Sequence, residues 1–512
     1  MDYRIKIGQH LVMGFEGHSL TDEIRQAVKS HKIGNIILFE RNVKDKHQLS
    51  ELCQDIKSLI KSETGYEPFI FIDQEGGVVS RLQEDCTVIP SAMGISASGK
   101  KENAYHAGLV TGRELNAMGV NFNLAPVLDI NSNPKNPVIG VRSYGDNPQF
   151  AADFGCEMAR GLVDGGVLCC AKHFPGHGDT DVDSHLGLPK IDKSKEEMLK
   201  FELVPFIAAS NMDIPAIMSS HILFPQIDKN GLPATMSYTI MTELLRNEIG
   251  FKGLILSDCM QMQAISDHFG TVKGMLEALK AGIDVIFASH SAQLNKEAAE
   301  LFMKAINEGD INIAQFEEST ERILKYKQKM SEFPKHSLEE VGSETHRILN
   351  EQLYRESVSV LGELPELGEN PCFVSCKAFV TTVASNPEKG NNYFAKDMQG
   401  IFGGTNLLVS SDPSDDEIKL TVEKAKNHSC IVVGTYNAHI YTGQEKMLKA
   451  LCDLKTPVIA VALRNPYDVL NLPENAAGIA VYAYNKQSVK AVAEVIAKKI
   501  KPTGKMPLGG NK

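Results

Sequence analysis

The chain has 512 residues, 43% of them hydrophobic and 23% charged, and a net charge of −11. At roughly 100–200 residues per domain, that length supports two or three packed cores. The acidic balance, with no basic run interleaved with aromatics, argues against nucleic acid or an anionic membrane as the main partner.

The opening MDYRIKIGQHLVMGF alternates charged and apolar residues. It lacks the basic segment and apolar stretch of about 7–15 residues that mark a secretory signal, and no later run approaches the ~20 apolar residues of a membrane span. A cytoplasmic protein is the expectation. The ten cysteines are scattered, and Cys372 and Cys376 are too far apart for a C-x-x-C pair, so they are expected to be reduced and structural.

Short apolar runs rich in β-branched residues recur through the first 290 positions. They are HLVMGF (10–15), NIILFE (35–40), FIFIDQ (69–74), VNFNLAPVLDI (120–130), VLCCAKHF (167–174), AIMSSH (216–221), GLILSD (253–258) and DVIFAS (284–289). Amphipathic stretches such as NAYHAGLVTGRELNAMG (103–119) and KGMLEALKAG (273–282) lie between them. Strand and helix alternating in this way imply a parallel sheet with helical crossovers, and eight units favour a (β/α)₈ barrel over an open sheet. The runs end on polar residues: Asp73, Gln74 and Glu75 after the third, Lys172 and His173 on the fifth, His221 on the sixth, Asp258 on the seventh, His290 after the eighth. In such a barrel the C-terminal strand ends form the active-site face.

The barrel is expected over 1–332. FPKHSLEEVGSETHRILNEQL (333–353) is polar and partly helical and reads as a linker. Beyond it, over 354–512, CFVSCKAFVTTVA, NLLVSS, CIVVGTY, PVIAVAL and GIAVYAY alternate with helical segments, predicting a smaller α/β three-layer sandwich.

Four segments carry candidate chemistry. IDQEGGVVSRL (72–82) ends a strand with two carboxylates and paired glycines, which allow a sharp turn and close approach to a ligand. Asp73 can accept from hydroxyls, and Arg81 offers a charged fork or a structural partner for Asp73. SNPKNPVIGVRSYG (132–145) is a turn-rich loop with a single Arg142. KHFPGHGDTDVDSH (172–185) packs Lys172, His173, His177, Asp179, Asp181, Asp183 and His185 into one loop after strand five. LILSDCMQM (254–262) places Asp258 at a strand end, as a nucleophile, a metal ligand or a substrate clamp; Met260 and Met262 read as packing. The loop could in principle cage a metal through His173, His177, Asp179, Asp183 and His185. Pro175, Gly176 and Gly178 make it turn-rich, a better fit to delivering a proton than to a rigid cage, and no metal or other cofactor is expected.

In this order the four segments resemble glycoside hydrolase family 3, most closely its bacterial β-N-acetylglucosaminidase branch in a two-domain form, and ALRNPYD (462–468) resembles the second domain of such members. Tyr144 stands where Phe is common. The resemblance implies a retaining β-N-acetylhexosaminidase that removes terminal β-linked N-acetylglucosamine from muropeptide or chitin-type saccharides, the former a step of peptidoglycan recycling. It makes Asp258 the nucleophile, His185 the acid/base and Asp183 its orienting partner, with Asp73, Arg81, Arg142, Lys172 and His173 holding the sugar. Replacing the usual acid carboxyl by imidazole suits a group that gives a proton in one half-reaction and takes one in the next. A phosphorylase remains the rival within the family, because a histidine leaves the site less negative toward phosphate. A metal-dependent hydrolase and a non-catalytic sugar-binding protein are the rivals outside it.

Overall fold

The computed structural model describes residues 2–180, 187–378 and 394–509. Eight parallel strands close a barrel in chain order: β1 (Leu11–Met13), β2 (Asn35–Leu38), β3 (Phe69–Ile72), β4 (Phe122–Asn123), β5 (Leu168–Phe174), β6 (Ala216–Ser219), β7 (Leu254–Cys259) and β8 (Val285–Ala288). Seven fall inside a predicted run, and β7 passes the end of its run by one residue, Cys259. The fourth is the shortest because Pro126 has no amide hydrogen to continue the ladder; pairing resumes only as a bridge from Val127 to Lys172.

Inward-facing side chains fill the barrel. Phe71 packs against Phe122 at 4.6 Å and Phe287 at 4.8 Å between centroids, with Val12, Leu168, Leu254 and Val285 around them. Outward-facing Ile, Val and Ala meet the ring of helices in a second, larger core. Polar side chains are thereby pushed to the strand ends, which is where the chemistry collects.

The second unit is a six-stranded sheet in the order β11-β10-β12-β13-β14-β9: β9 (Ser359–Leu361), β10 (Cys372–Cys376), β11 (Thr405–Val409), β12 (Ile431–Thr435), β13 (Val458–Ala462) and β14 (Ala476–Ala480). Helices Asp415–Ala425 and Thr442–Cys452 pack on one face, Phe394–Phe402 and Lys486–Ile496 on the other, giving three layers. β9 has no counterpart in the sequence reading. It has three residues, too few to show an alternation, and pairs antiparallel with β14 at the sheet edge.

The polar segment read as a linker is a packed element. Its helix runs Glu344–Ser357, past position 353, and is fastened to both neighbours. His346 Nδ1 meets Glu114 at 2.8 Å on the barrel side, while Arg355 forms a two-pronged pair with Glu494 at 2.7 and 2.9 Å on the sandwich side. The ten cysteines carry free thiols. Among the described residues no helix is long and apolar enough to cross a membrane.

Candidate active site

A cavity of about 890 Å³ opens on the C-terminal face of the barrel. Asp73, Arg81, Arg142, Lys172, His173 and Asp258 all line it, although they lie up to 185 positions apart in the chain. Its walls are otherwise strand-end hydrophobics such as Ile37, Leu124, Met218 and Phe287, with Arg41, Gln261 and His290 among the remaining lining residues.

The paired glycines after β3 do make a sharp turn, with φ of +94° at Gly76 and +53° at Gly77. The turn does not use them to approach a ligand. A Cβ on Gly76 would meet Ile89 Cγ1 at 2.6 Å, and one on Gly77 would meet Ser91 Cβ at 2.6 Å, so the close approach is to the chain's own 89–91 segment. Gln74 ties the turn shut: its side-chain Oε1 accepts from the Arg81 amide at 2.9 Å, bringing Arg81 back to the strand end.

Two carboxylates at this turn divide the cations of the site. Lys172 Nζ donates to Asp73 Oδ1 at 2.8 Å and lies 2.7 Å from Glu75 Oε1. Arg142 grips Glu75 with Nε and Nη2, both at 2.8 Å, and donates from Nη1 to the Val138 carbonyl at 3.2 Å. Arg81 stands 3.9 Å from Asp73, an ion pair without a hydrogen bond. Burial alone would push the Glu75 carboxyl up, but the Arg142 guanidinium and the Lys172 ammonium hold it well below the usual range. Burial works against the Lys172 charge too, and Asp73 and Glu75 more than reverse it, so the ammonium is held more firmly than usual.

Strand five's His173 is set by a residue the sequence reading passed over. Asp129, fully buried beyond β4, accepts from the His173 amide at 3.1 Å and from the His177 amide at 2.7 Å, and its Oδ2 lies 2.6 Å from His173 Nδ1. A carboxylate only accepts, so Nδ1 carries a hydrogen in this contact. Burial would raise Asp129, yet His173 and the amides bring it below its ordinary value. His177 packs against His173 at 5.7 Å between ring centroids and bonds Thr180 Oγ1 at 3.0 Å; burial and then His173 lower it to about 4.

At the end of β7 the Cys259 amide donates to Asp258 Oδ1 at 2.7 Å, fixing the rotation of a half-buried carboxylate. His221, a strand-end candidate, stands behind it: Nε2 meets the Cys259 carbonyl at 3.0 Å and Nδ1 meets Thr235 Oγ1 at 2.9 Å. It shapes the wall and does not line the cavity. Met260 is fully buried, as packing predicts, whereas Met262 reaches the cavity lining.

Asp183 and His185, and Asp181 with them, lie outside the described residues. Of the proposed metal ligands that are described, His173 and His177 are tied to Asp129 and Thr180, and Asp179 pairs with Lys193 at 2.6 Å. Among the described residues no group of three His, Cys, Asp or Glu is arranged to hold a metal ion.

Two residues that anchor the site were given no role in the sequence reading. Glu75 was visible in DQEGG but was not assigned to the site. Asp129 stands next to last in VNFNLAPVLDI (120–130), and extending to it the rule that polar residues at the ends of apolar runs mark the active face would have found it.

Comparison with known proteins bears on what this cavity does. Residues 3–326 match the sequence profile of the Glycosyl hydrolase family 3 N terminal domain. A curated relative, Beta-hexosaminidase A of Pseudoalteromonas piscicida, is 36% identical over 334 residues; the alignment covers 61% of this chain and 56% of that protein, so the chain spans little more than half of it. A glycoside hydrolase family 3 β-N-acetylglucosaminidase from Paenibacillus sp. str. FPU-7 superposes with a TM-score of 0.91 at 32% identity, covering 99% of both chains. NagZ from Neisseria gonorrhoeae, solved in complex with N-trifluoroacetyl-D-glucosamine, gives a TM-score of 0.57 at 30% identity over 67% of this chain and 96% of its own.

Proposed function

The chain belongs to glycosyl hydrolase family 3, and from that premise we propose that it is a retaining β-N-acetylhexosaminidase acting on terminal β-linked N-acetylglucosamine. The observation that carries the reading is the convergence of Asp258 with Asp73, Arg81, Arg142, Lys172 and His173 in one cavity. A carboxylate held by a backbone amide faces a set of charged donors and acceptors suited to sugar hydroxyls. The named relatives, β-hexosaminidases and a protein seen with a glucosamine derivative, support the same sugar class.

In this mechanism the Asp258 carboxylate attacks the anomeric carbon while the leaving oxygen takes a proton from His185, oriented by Asp183. A covalent glycosyl-aspartate forms. His185 then takes a proton from water, which attacks the same carbon and frees Asp258. Asp73 accepts from a sugar hydroxyl, Lys172 and Arg81 donate, and Asp129 holds the His173 ring in one tautomer. Muropeptides and chitin-type oligomers both fit a non-reducing terminal sugar in such a cavity, and the former would place the enzyme in cytoplasmic peptidoglycan recycling.

The test is turnover of a chromogenic β-N-acetylglucosaminide with and without phosphate, and with and without EDTA. Hydrolysis indifferent to both is expected; phosphate-dependent release of a sugar phosphate would make the protein a phosphorylase, and chelator sensitivity would make it a metallohydrolase. Asp258→Ala should abolish turnover with the fold intact, and a slow fluorosugar should label Asp258 in the parent. Activity within about tenfold of the parent removes Asp258 from the nucleophile role. His185→Ala should cost about 10²–10⁴-fold with poor leaving groups, far less with an activated aryl one, and Asp183→Ala should show the same pattern more mildly. Equal losses on both leaving groups would end the proton-carrier reading.

A further inference from the structure

The segment Arg464–Asp468, at the end of β13 in the second domain, reaches the loop that carries Arg142. We infer that this segment is a brace for the sugar-binding side of the cavity, with Tyr467 as a positioning residue that acts through Asn131. The inference rests on the hydrolase reading for its assay.

The loop over 131–145 has one turn of 3₁₀ helix, Gly140–Arg142, and otherwise no regular structure. Asn131 closes it. Its amide donates to the Gly145 carbonyl at 2.9 Å, and its Oδ1 accepts from the Gly140 amide at 3.1 Å. Its Nδ2 donates out of the barrel, to the Tyr467 hydroxyl at 2.7 Å. Gly140 has φ +46°, and a Cβ there would lie 2.6 Å from Asn465 Oδ1, so the second domain sits directly on the turn. Adjacent residues then part: Val141 is buried in the second domain's apolar cluster with Ala462 and Tyr482, while Arg142 lines the cavity and holds Glu75. The same loop reaches strand five's exit, where Asn136 Nδ2 donates to the His177 carbonyl at 2.9 Å.

The brace is itself rigid. Asp468 accepts from Thr435 Oγ1 at 2.7 Å and from the His439 amide at 3.1 Å, and its Oδ1 lies 2.8 Å from His439 Nδ1. The His439 ring lies against Tyr467 at 5.1 Å between centroids. A hydroxyl held in this way fixes where Asn131 points, and Asn131 fixes where the Arg142 turn begins. The contact offers nothing to the sugar directly, so its loss should appear in sugar binding and not in the chemical step.

Tyr467→Phe in the full chain removes only the accepting oxygen and leaves Asn131 Nδ2 unpaired. Measured with a chromogenic β-N-acetylglucosaminide, KM should rise about 5- to 50-fold with kcat within about threefold, the loss expected for one buried hydrogen bond directed to binding. N-acetylglucosamine affinity by calorimetry should fall by the same factor. Asn131→Ala, which also loses the bond from the Gly140 amide, should raise KM at least as far, and the double variant should be no worse than Asn131→Ala, because the Tyr467 contact is already cut there. Val141→Ala, which weakens the apolar anchor without touching Tyr467, should raise KM as well. Parental KM and affinity in Tyr467→Phe and Val141→Ala, even with a lowered melting temperature, would reduce the segment to an ordinary domain contact and overturn the inference; additive effects in the double variant would overturn the route through Asn131. If the parent is active and Asp258→Ala is not, such a result sinks the brace alone. If the parent neither turns over the glycoside nor binds the sugar, both readings fall.

Discussion

The two ends of the barrel each bury a carboxylate between two cations, and the ends are used differently. At the N-terminal end Asp284 is completely enclosed: Oδ1 accepts from Ser319 Oγ and Arg322 Nη1, both at 2.5 Å, and Oδ2 accepts from Arg246 Nη2 at 2.9 Å and the Ile255 amide at 2.8 Å. At the C-terminal end Glu75 takes Arg142 and Lys172, but Lys172 is shared with Asp73, which is 17% exposed where Asp284 is 1% exposed. The first cluster closes a seam between β7, β8 and the helix Ile313–Lys329. The second holds charged groups at a cavity wall, where Asp73 still faces open space. Burial of a charge network is therefore no guide to function by itself; what matters is whether a member faces open space.

The largest effect should separate these two clusters. Glu75→Gln leaves Arg142 and Lys172 in place without their shared counter-charge, and breaking a buried pair costs about 3–5 kcal/mol. Part of that should appear as lost transition-state binding, lowering kcat/KM by about 10²–10³-fold. Asp284→Asn should cost a similar stability, about 3–5 kcal/mol, with kcat/KM of the remaining folded enzyme within about twofold. Urea titration beside kinetics measures both. Comparable activity losses in the two variants would show that the N-terminal cluster also shapes the cavity.

A smaller effect is expected one residue pair away. Asp73→Asn keeps the size of the side chain but weakens its hold on Lys172 and its acceptor strength toward a hydroxyl. Loss of one charge-assisted hydrogen bond corresponds to about 1.5–3 kcal/mol, or roughly 10–100-fold in kcat/KM, with little change in melting temperature. If Asp73→Asn loses stability and keeps activity, Asp73 belongs with Asp284 as a structural group.

The contrast also explains what could be read from the sequence. The barrel was legible because a parallel strand buried on both faces is a continuous apolar run, and eight of these alternate with amphipathic helices. The cavity-lining residues Asp73, Lys172, His173 and Asp258 were legible as polar breaks in those runs, and Arg81 and Arg142 through the family resemblance. Glu75 and Asp129 sit where the strand-end rule points, but their roles come from partners 67 and 44 positions away, and no local pattern announces such pairings. The same holds for Asn131 and Tyr467, separated by 336 positions. β9 was too short to carry a period, and the 333–353 segment was read by its polarity, although its helix spends its charges on pairs with both domains.

The smallest effect compares a histidine from each end. His177 on the catalytic face and His10 beneath β1 are both buried, and burial lowers each to about 4; for His10 the Asp284 carbonyl, 2.7 Å from Nδ1, opposes the shift without cancelling it. Above pH 6.5 each ring is neutral in folded and unfolded chains and contributes no pH dependence. Between 6.5 and about 4 the unfolded chain takes up the proton and the folded one does not, so stability falls as pH falls through this window. Each histidine adds at most about 1.4 kcal/mol per pH unit to that slope. Replacing either by Gln should flatten the profile of urea midpoint against pH between 6.5 and about 4 by a similar amount. The activities should part: His10→Gln should keep parental kcat/KM at pH 7, whereas His177→Gln, beside His173 and tied to Thr180, should lower it. An unchanged acid slope in His10→Gln would show that its ring is already charged in the folded protein, and parental activity in His177→Gln would move it from the catalytic wall to the scaffold.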